Sequence, residues 1–344
     1  MVGPMKDRYF NAWTKHCCLY PDNDRGPHLP PFNIRDMLLT FAVAVREGKY
    51  GLGRQVKVQS VAVTLRSVAQ KYVLDGHPDP RRASPAQHAL KLPIARILKR
   101  FDDEDPTPKP KLAVPVSTIT AIALGYHFTP LHAAVADMVI IAFFYLLKIG
   151  EYTSPSTPCP KCTIPLRKCD IRLWCSGNIL HPDASLSALL LADSATISIA
   201  NTKNGTKGAF VYHFVIGGPV CPVASLAQRI NNLRGLPLAT PLSTVFPNPG
   251  TTSTISDRNI TVVVQWGATA DSLLARGYTL DRISSHSLRA GGAMAMKLSG
   301  ASDSTIMQIG RWTSLTYLTY IHSRIGALAQ GVVCKMSQCL HFQN

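Results

Sequence analysis

Leu131 to Leu147 is the most apolar stretch of this 344-residue chain, and few structures accommodate it. It is interrupted by His132 and Asp137 and is shorter than the roughly 20 residues a membrane span needs. A helix apolar on all sides must be covered on all sides, so this stretch reads as a buried helix inside a domain. Hydrophobic residues make up 46% of the chain, enough for a sizeable core and too many for global disorder. The length suffices for two domains of ordinary size.

Periodicity and breakers divide the chain. Residues 1 to 31 are spotted with Pro and Gly and read as loosely ordered. Asn33 to Lys49 reads as a helix with Asn33 as N-cap, and Met37, Leu38, Phe41, Ala42 and Val45 form its apolar stripe. Val56 to Leu74 and Ser84 to Phe101 repeat the helical pattern. The acidic, then Pro-rich run Asp102 to Lys111 reads as neither regular helix nor central strand but as the interdomain linker. Three regions follow: 1–31, an all-α region over 32–105, and a larger one over 106–344.

The larger region opens with helices over Ser117 to Gly125 and Pro130 to Lys148. Strands are predicted over Asp170 to Cys175, Ala195 to Ala200 and Ala209 to Ile216. The last two are joined by a loop, Thr202 to Gly208, with Asn204-Gly205 as its turn signal. Helices resume over Pro222 to Arg234, Ile260 to Arg276, Ser287 to Leu298, Ser302 to Ile309, Ser314 to Ile321 and Arg324 to Met336. The expected class is mainly α with a small antiparallel β-sheet, an α+β fold.

Lys and Arg number 36 against 20 Asp and Glu, a net charge of +16 that points to a polyanionic partner. Nine cysteines, an odd number, and a polar start without the apolar core of a signal peptide suggest reduced thiols inside a cell. Cys159-Pro160-Lys161-Cys162 opens like a zinc site, but Cys169 and Cys175 do not complete it and are expected to pack inward.

The last sixty residues carry the chemistry. Ser285-His286-Ser287-Leu288-Arg289 sets a His and an Arg three apart on one helical face. Gly310-Arg311-Trp312 and Tyr317-Leu318-Thr319-Tyr320 follow. Together they offer cationic and neutral donors for a phosphate and a phenol able to attack it. A guanidinium binds two non-bridging oxygens at once, and a tyrosine ester keeps the bond energy so that strands can be rejoined.

These motifs resemble the catalytic domain of the tyrosine recombinases, most of all the DIRS-like and Crypton-like mobile-element type. The resemblance runs from about Phe32 onward. It rests on His286-x-x-Arg289, on Gly310-Arg311-Trp312, on a Tyr eight residues beyond the Trp, and on Phe143 to Tyr152, which matches the family's first arginine motif. Cys221-Pro222-Val223 and the basic helix after it also fit. The resemblance implies a helical core-binding (SAM-like) domain that clamps DNA, followed by an integrase-like catalytic domain.

It further implies that Tyr320 attacks the scissile phosphate and Arg289 grips its oxygens. His286 donates to the phosphate or manages the nucleophile's proton, and Trp312 donates and packs. Lys203 protonates the leaving 5′-oxygen, and Glu151 orients the clamp. Tyr317 competes with Tyr320, and Lys207 with Lys203; spacing to Trp312 and the following Ile321-His322 favour Tyr320, and a place earlier in the loop, beside the strand end, favours Lys203. No metal or cofactor is implied. The implied partners are double-stranded DNA and further copies of the chain, in a tetramer docked through Arg324 to Met336. No membrane is implied, and in a eukaryote the site of action is the nucleus.

One residue departs from the family pattern. Lys148 stands where the first arginine is expected, and it keeps the charge but not the two-pronged geometry. Three functions follow: a site-specific recombinase of a mobile element, a domesticated DNA-binding protein with weakened or lost cleavage, and an enzyme like the type IB topoisomerases.

Overall fold

The computed structural model describes residues 4–20, 27–28, 31–51, 53–82, 90–106, 111–154, 163–201 and 207–318. The chain divides into two compact units, Met1–Pro108 and Lys109–Asn344.

The first unit holds four helices: α1 (Pro4–Cys17), α2 (Pro31–Arg46), α3 (Val58–Leu74) and α4 (Leu92–Glu104). The stripe on α2 is buried as its spacing requires, with Leu38, Phe41 and Ala42 fully covered. α2 starts at Pro31, two residues ahead of the expected Asn33 cap, because proline suits the first helical turn. The segment read as loosely ordered carries α1. Trp13, fully buried there, packs edge-on against Phe41 at 5.2 Å and donates its indole N–H to the Pro27 carbonyl at 2.9 Å. One large aromatic anchor outweighs the scattered Pro and Gly around it.

The acidic run begins as helix, and the boundary between the two units falls farther along it, after Pro108. Asp102, Asp103 and Glu104 form the last turn of α4, and the helix stops only at Asp105, ahead of Pro106. Carboxylates at a helix C-terminus oppose the helix dipole. Here Glu104 pairs with Arg100 one turn back at 2.9 Å. The Asp105 carboxylate accepts from the Val58 N–H at 2.7 Å and from Arg46 at 2.5 Å. Those contacts, the Val58 bond first, hold the Asp105 carboxyl below the usual carboxylate range.

The second unit is built on α6 (Pro130–Phe144), which packs against α5 (Val116–Gly125), α9 (Pro222–Asn232), α10 (Asp257–Ala270) and α11 (His286–Leu298). Nine of its residues are buried, so the apolar stretch is surrounded as expected. Thr129 caps it by accepting from the His132 N–H at 3.2 Å, and Pro130 occupies the first turn. The elements after α6 are α7 (Ile149–Tyr152), β1 (Ile171–Cys175), β2 (Asn178–Ile179), α8 (Leu186–Leu189), β3 (Ser194–Asn201), β4 (Lys207–Phe214), and then, beyond α9, β5 (Thr244–Val245) and β6 (Ser253–Thr254). α12 (Asp303–Gly310) follows α11.

β1 to β4 form one antiparallel sheet in the order β2-β1-β3-β4, and β5 pairs with β6. Leu173, Ala195, Ile197 and Val211 face the core. The fold class is therefore α+β, mainly helical. Cys169 and Cys175 do not pack inward. Cys169 is exposed because it lies in the 3-10 turn Lys168–Asp170 ahead of β1, and Cys175 is half-buried because it is the last residue of β1, where alternation into the core has ceased. Cys159 and Cys162 lie outside the described residues. Among those described, no helix is long and apolar enough to cross a membrane.

Asp137, one of the two interruptions in α6, faces a cavity that Arg229 also lines. The Arg229 guanidinium is buried and donates to the carbonyls of Leu242 at 2.8 Å and Thr244 at 2.5 Å. Burial pushes the Asp137 carboxyl up to about 7, against the pull of Arg229. An acid whose pKa is higher folded than unfolded binds its proton more tightly in the native state. Stability is therefore full below about pH 4 and falls as pH rises toward about 7, by at most about 4 kcal/mol. Urea midpoints are expected to decline across that window from this group, and the decline should flatten in Asp137→Asn. An identical slope in the variant would assign the effect elsewhere.

Candidate active site

The site begins where α6 ends. The expected helix through Lys148 stops at Phe144, because Leu146 turns left-handed with φ 47°. The Leu147 N–H reaches back to the Ala142 carbonyl at 3.1 Å, closing the helix as a glycine usually does at this place. A leucine held there costs about 1 kcal/mol or more. The end of α6 is also tied to the sheet. The Tyr145 hydroxyl donates to the Ala195 carbonyl at 3.3 Å, and His213 Nε2 lies 3.0 Å from the Phe144 carbonyl oxygen.

The turn aims the Leu146 carbonyl at two arginines distant in sequence. Arg289 Nη1 donates to it, and Arg311 Nη2 donates to it at 3.1 Å. Lys148 comes next, as the residue that caps α7. Its backbone N–H donates to Glu151 Oε2 at 2.7 Å, and the same oxygen accepts from Arg311 Nη2 at 2.7 Å. Glu151 and Arg311 form a buried ion pair, with side chains 0% and 4% exposed. Burial lowers the Arg311 pKa from its ordinary value, and Glu151 opposes that shift. Glu151 Oε1 and Arg311 Nε lack partners among the described residues. The pair is therefore shielded from solvent and only partly satisfied by the described residues, so its desolvation is costly and its partners matter.

α11 brings Arg289 to this turn because two glycines let it approach. A Cβ on Gly291 would stand 2.1 Å from the Val114 carbonyl oxygen, and one on Gly292 2.3 Å from that of Phe143. Arg289 also donates from Nη2 to the Gly310 carbonyl, and its guanidinium lies 4.1 Å from the Trp312 ring centre. Gly310 makes that stacking possible, since a Cβ there would sit 1.8 Å from Trp312 Cζ3. Gly310→Ala is expected to drive the indole off Arg289 and to cost about 1–3 kcal/mol. A thermal melt together with Trp312 fluorescence checks this, and an unshifted melt with an unchanged spectrum would refute it.

Of the expected site residues, Arg289, Trp312 and Glu151 converge with Lys148 on one turn. His286 sits exposed at the first position of α11, one turn before Arg289. Lys203, Tyr320 and the segment Arg324 to Met336 lie outside the described residues. Tyr317 is fully buried against Trp312, with ring centres 5.6 Å apart. Burial and then the neighbouring Asp303 carboxylate push its phenol up to about 12. Lys168, a second lysine near the sheet, is committed elsewhere: it is fully buried and donates to Asp183 and to the carbonyls of Leu233 at 3.0 Å and Leu236 at 3.2 Å. Arg311 is the residue that sequence reasoning left without a role. The Gly310-Arg311-Trp312 motif contained it, but only its pairing with Glu151 reveals what it does. No cluster of three or more His, Cys, Asp or Glu able to hold a metal occurs among the described residues.

No family model matches this chain, and no curated protein matches it. Solved structures with a similar fold include the Tn1549 transposon integrase in complex with transposon right-end DNA, at 11% identity over 94% of this chain and 99% of that one, with a TM-score of 0.47. A lambda integrase dimer bound to a COC′ core site is similar at 11% identity over 93% and 89%, with a TM-score of 0.45. The XerA recombinase is similar at 14% identity over 99% and 94%, with a TM-score of 0.39.

Proposed function

We propose that this chain is a tyrosine recombinase: a site-specific enzyme of a mobile element that cuts and rejoins double-stranded DNA through a 3′-phosphotyrosyl intermediate. The observation that carries the reading is the convergence of Arg289, Arg311, Trp312 and Glu151 on the Leu146–Lys148 turn. Two guanidiniums, Arg289 and Arg311, meet there with one carboxylate, and Lys148 enters the turn through its backbone N–H. That excess of positive charge in a partly dry setting suits the dianionic transition state of a phosphodiester.

In this reading the Tyr320 phenol gives up its proton to His286 as its oxygen attacks phosphorus, and the bond from phosphorus to the 5′-oxygen breaks. The leaving oxygen takes a proton from Lys203, and Arg289 and Lys148 hold the non-bridging oxygens. His286 adds a donor from the N-terminal turn of α11, where the helix dipole favours an anion. Tyr317 is a poor nucleophile by comparison. Its buried phenol, beside the Asp303 carboxylate, is pushed up to about 12 and ionises less readily than an ordinary tyrosine. The tetramer on DNA, built through Arg324 to Met336, belongs to the same proposal. Lys148 favours a second reading, a DNA-binding protein whose cleavage is weakened.

The test is a suicide duplex followed by a denaturing gel. Wild type and Tyr317→Phe are expected to form a covalent adduct, and Tyr320→Phe none. An adduct that survives Tyr320→Phe but not Tyr317→Phe would move the nucleophile. Duplex binding without any adduct would select the second reading.

A further inference from the structure

The sheet buries one face and leaves the other open. Its outer rungs are Arg172–Thr196–Tyr212, Trp174–Ser194–Phe214 and Ser198–Phe210. Phe210, Tyr212 and Phe214 are 63%, 46% and 66% exposed. All three lie on β4, an edge strand, at alternate positions and so about 7 Å apart. The solvent face of an antiparallel sheet is ordinarily polar. Three exposed rings in a row on such a face contribute little to folding and mark a contact surface.

The surroundings of the rings favour one partner. Across the sheet from them stand the short side chains of Ser194, Thr196 and Ser198, with Ser194 buried and the other two half-buried. The Trp174 indole N–H donates to Thr196 Oγ1 at 3.0 Å, and the Tyr212 and Phe214 rings meet edge-to-face at 4.9 Å. Exposed Arg172 is the single charge on these rungs. The nearest acid, Asp193, is engaged by the Ser176 N–H and the Ser194 hydroxyl, each at 2.6 Å. A face with aromatic rings, one guanidinium and no carboxylate on a chain of net charge +16 is complementary to stacked bases on a polyanionic backbone. A second copy docked isologously would carry its own Arg172 into an apolar contact that offers no carboxylate to meet it.

We infer that the outer face of the β1–β4 sheet is a stacking platform for unpaired bases of single-stranded DNA. This rests on the strand-exchange reading above for its purpose, since cutting and rejoining requires strands to leave their partners.

The test measures fluorescence anisotropy with oligothymidylate about 20 nucleotides long and with a duplex of equal length, at low and raised salt. The triple variant Phe210→Ser, Tyr212→Ser, Phe214→Ser alters only exposed side chains, and its melting curve should match wild type. Its single-strand affinity is expected to fall about tenfold or more, with duplex affinity and suicide-substrate adduct unchanged. Arg172→Glu should weaken single-strand binding as well. If single-strand binding falls in a protein that forms no adduct, the platform stands and the cleavage reading falls. Equal single-strand affinity in wild type and the triple variant would overturn the platform. So would a triple variant that keeps single-strand binding but loses self-association by light scattering, which would assign the face to a second copy.

Discussion

Arg311→Ala is expected to lower folding stability by about 3–5 kcal/mol, read as a shift of the urea midpoint. The reason is the carboxylate left behind. Glu151 is fully buried, and Arg311 is the cation it faces at 2.7 Å. Without it, the charge keeps the Lys148 backbone N–H as a partner, which is too little for an ion out of water. The loss extends to geometry, because Arg311 also donates to the carbonyls of Tyr145 and Leu146. Glu151→Gln should be milder, since an amide oxygen still accepts from the Lys148 N–H and from Arg311. The double variant Glu151→Leu, Arg311→Met should recover much of the stability lost by Arg311→Ala and none of the DNA cleavage. A midpoint shift below about 0.5 kcal/mol for Arg311→Ala would mean that the pair is not what holds the turn.

Lys148→Arg is expected to raise the rate of covalent adduct formation by about two orders of magnitude, with little change in duplex affinity. Lysine and arginine bring the same charge, so attraction to DNA hardly changes. The gain comes from the planar fork, which holds two oxygens of the transition state in place of one. The backbone at this position is already set, with Lys148 capping α7 and its N–H bonded to Glu151. Single-turnover measurement on the suicide duplex separates this from binding. A rate that stays flat or falls would show that the site has adapted around the ammonium, and that Arg311 or Arg289 supplies what an arginine at this position would provide.

Much of the second unit could be read in advance because its signals are local. Leu131 to Leu147 is apolar all round and became the central helix, and alternation in Ala195 to Ala200 and after Ala209 became β3 and β4. Gly291 and Gly292 admit the Val114 and Phe143 carbonyls, contacts that no local pattern specifies. Where reading failed, a distant partner outweighed a local pattern. Pro and Gly around α1 suggested loose structure, yet Trp13 found Phe41 and the Pro27 carbonyl. Acidic residues beside prolines suggested that no helix enters the run, yet Arg46 and the Val58 N–H hold Asp105 at the end of one, and the boundary between the units comes only after Pro108.

The candidate site divides the same way. Sequence by itself determined the chemical inventory: a guanidinium at Arg289, an indole at Trp312, an ammonium in place of a guanidinium at Lys148, a carboxylate at Glu151, and two phenols. It determined this because residue type and spacing are written in the chain. Only the tertiary structure decided the assignments within that inventory. It made Arg311 the partner of a carboxylate 160 residues away and left Leu146 in a strained turn that gathers two arginines. It also buried Tyr317 beside Asp303, where a phenol does not readily ionise. Each of these depends on which groups lose water together, and that is a property of the packed chain rather than of any local run of residues.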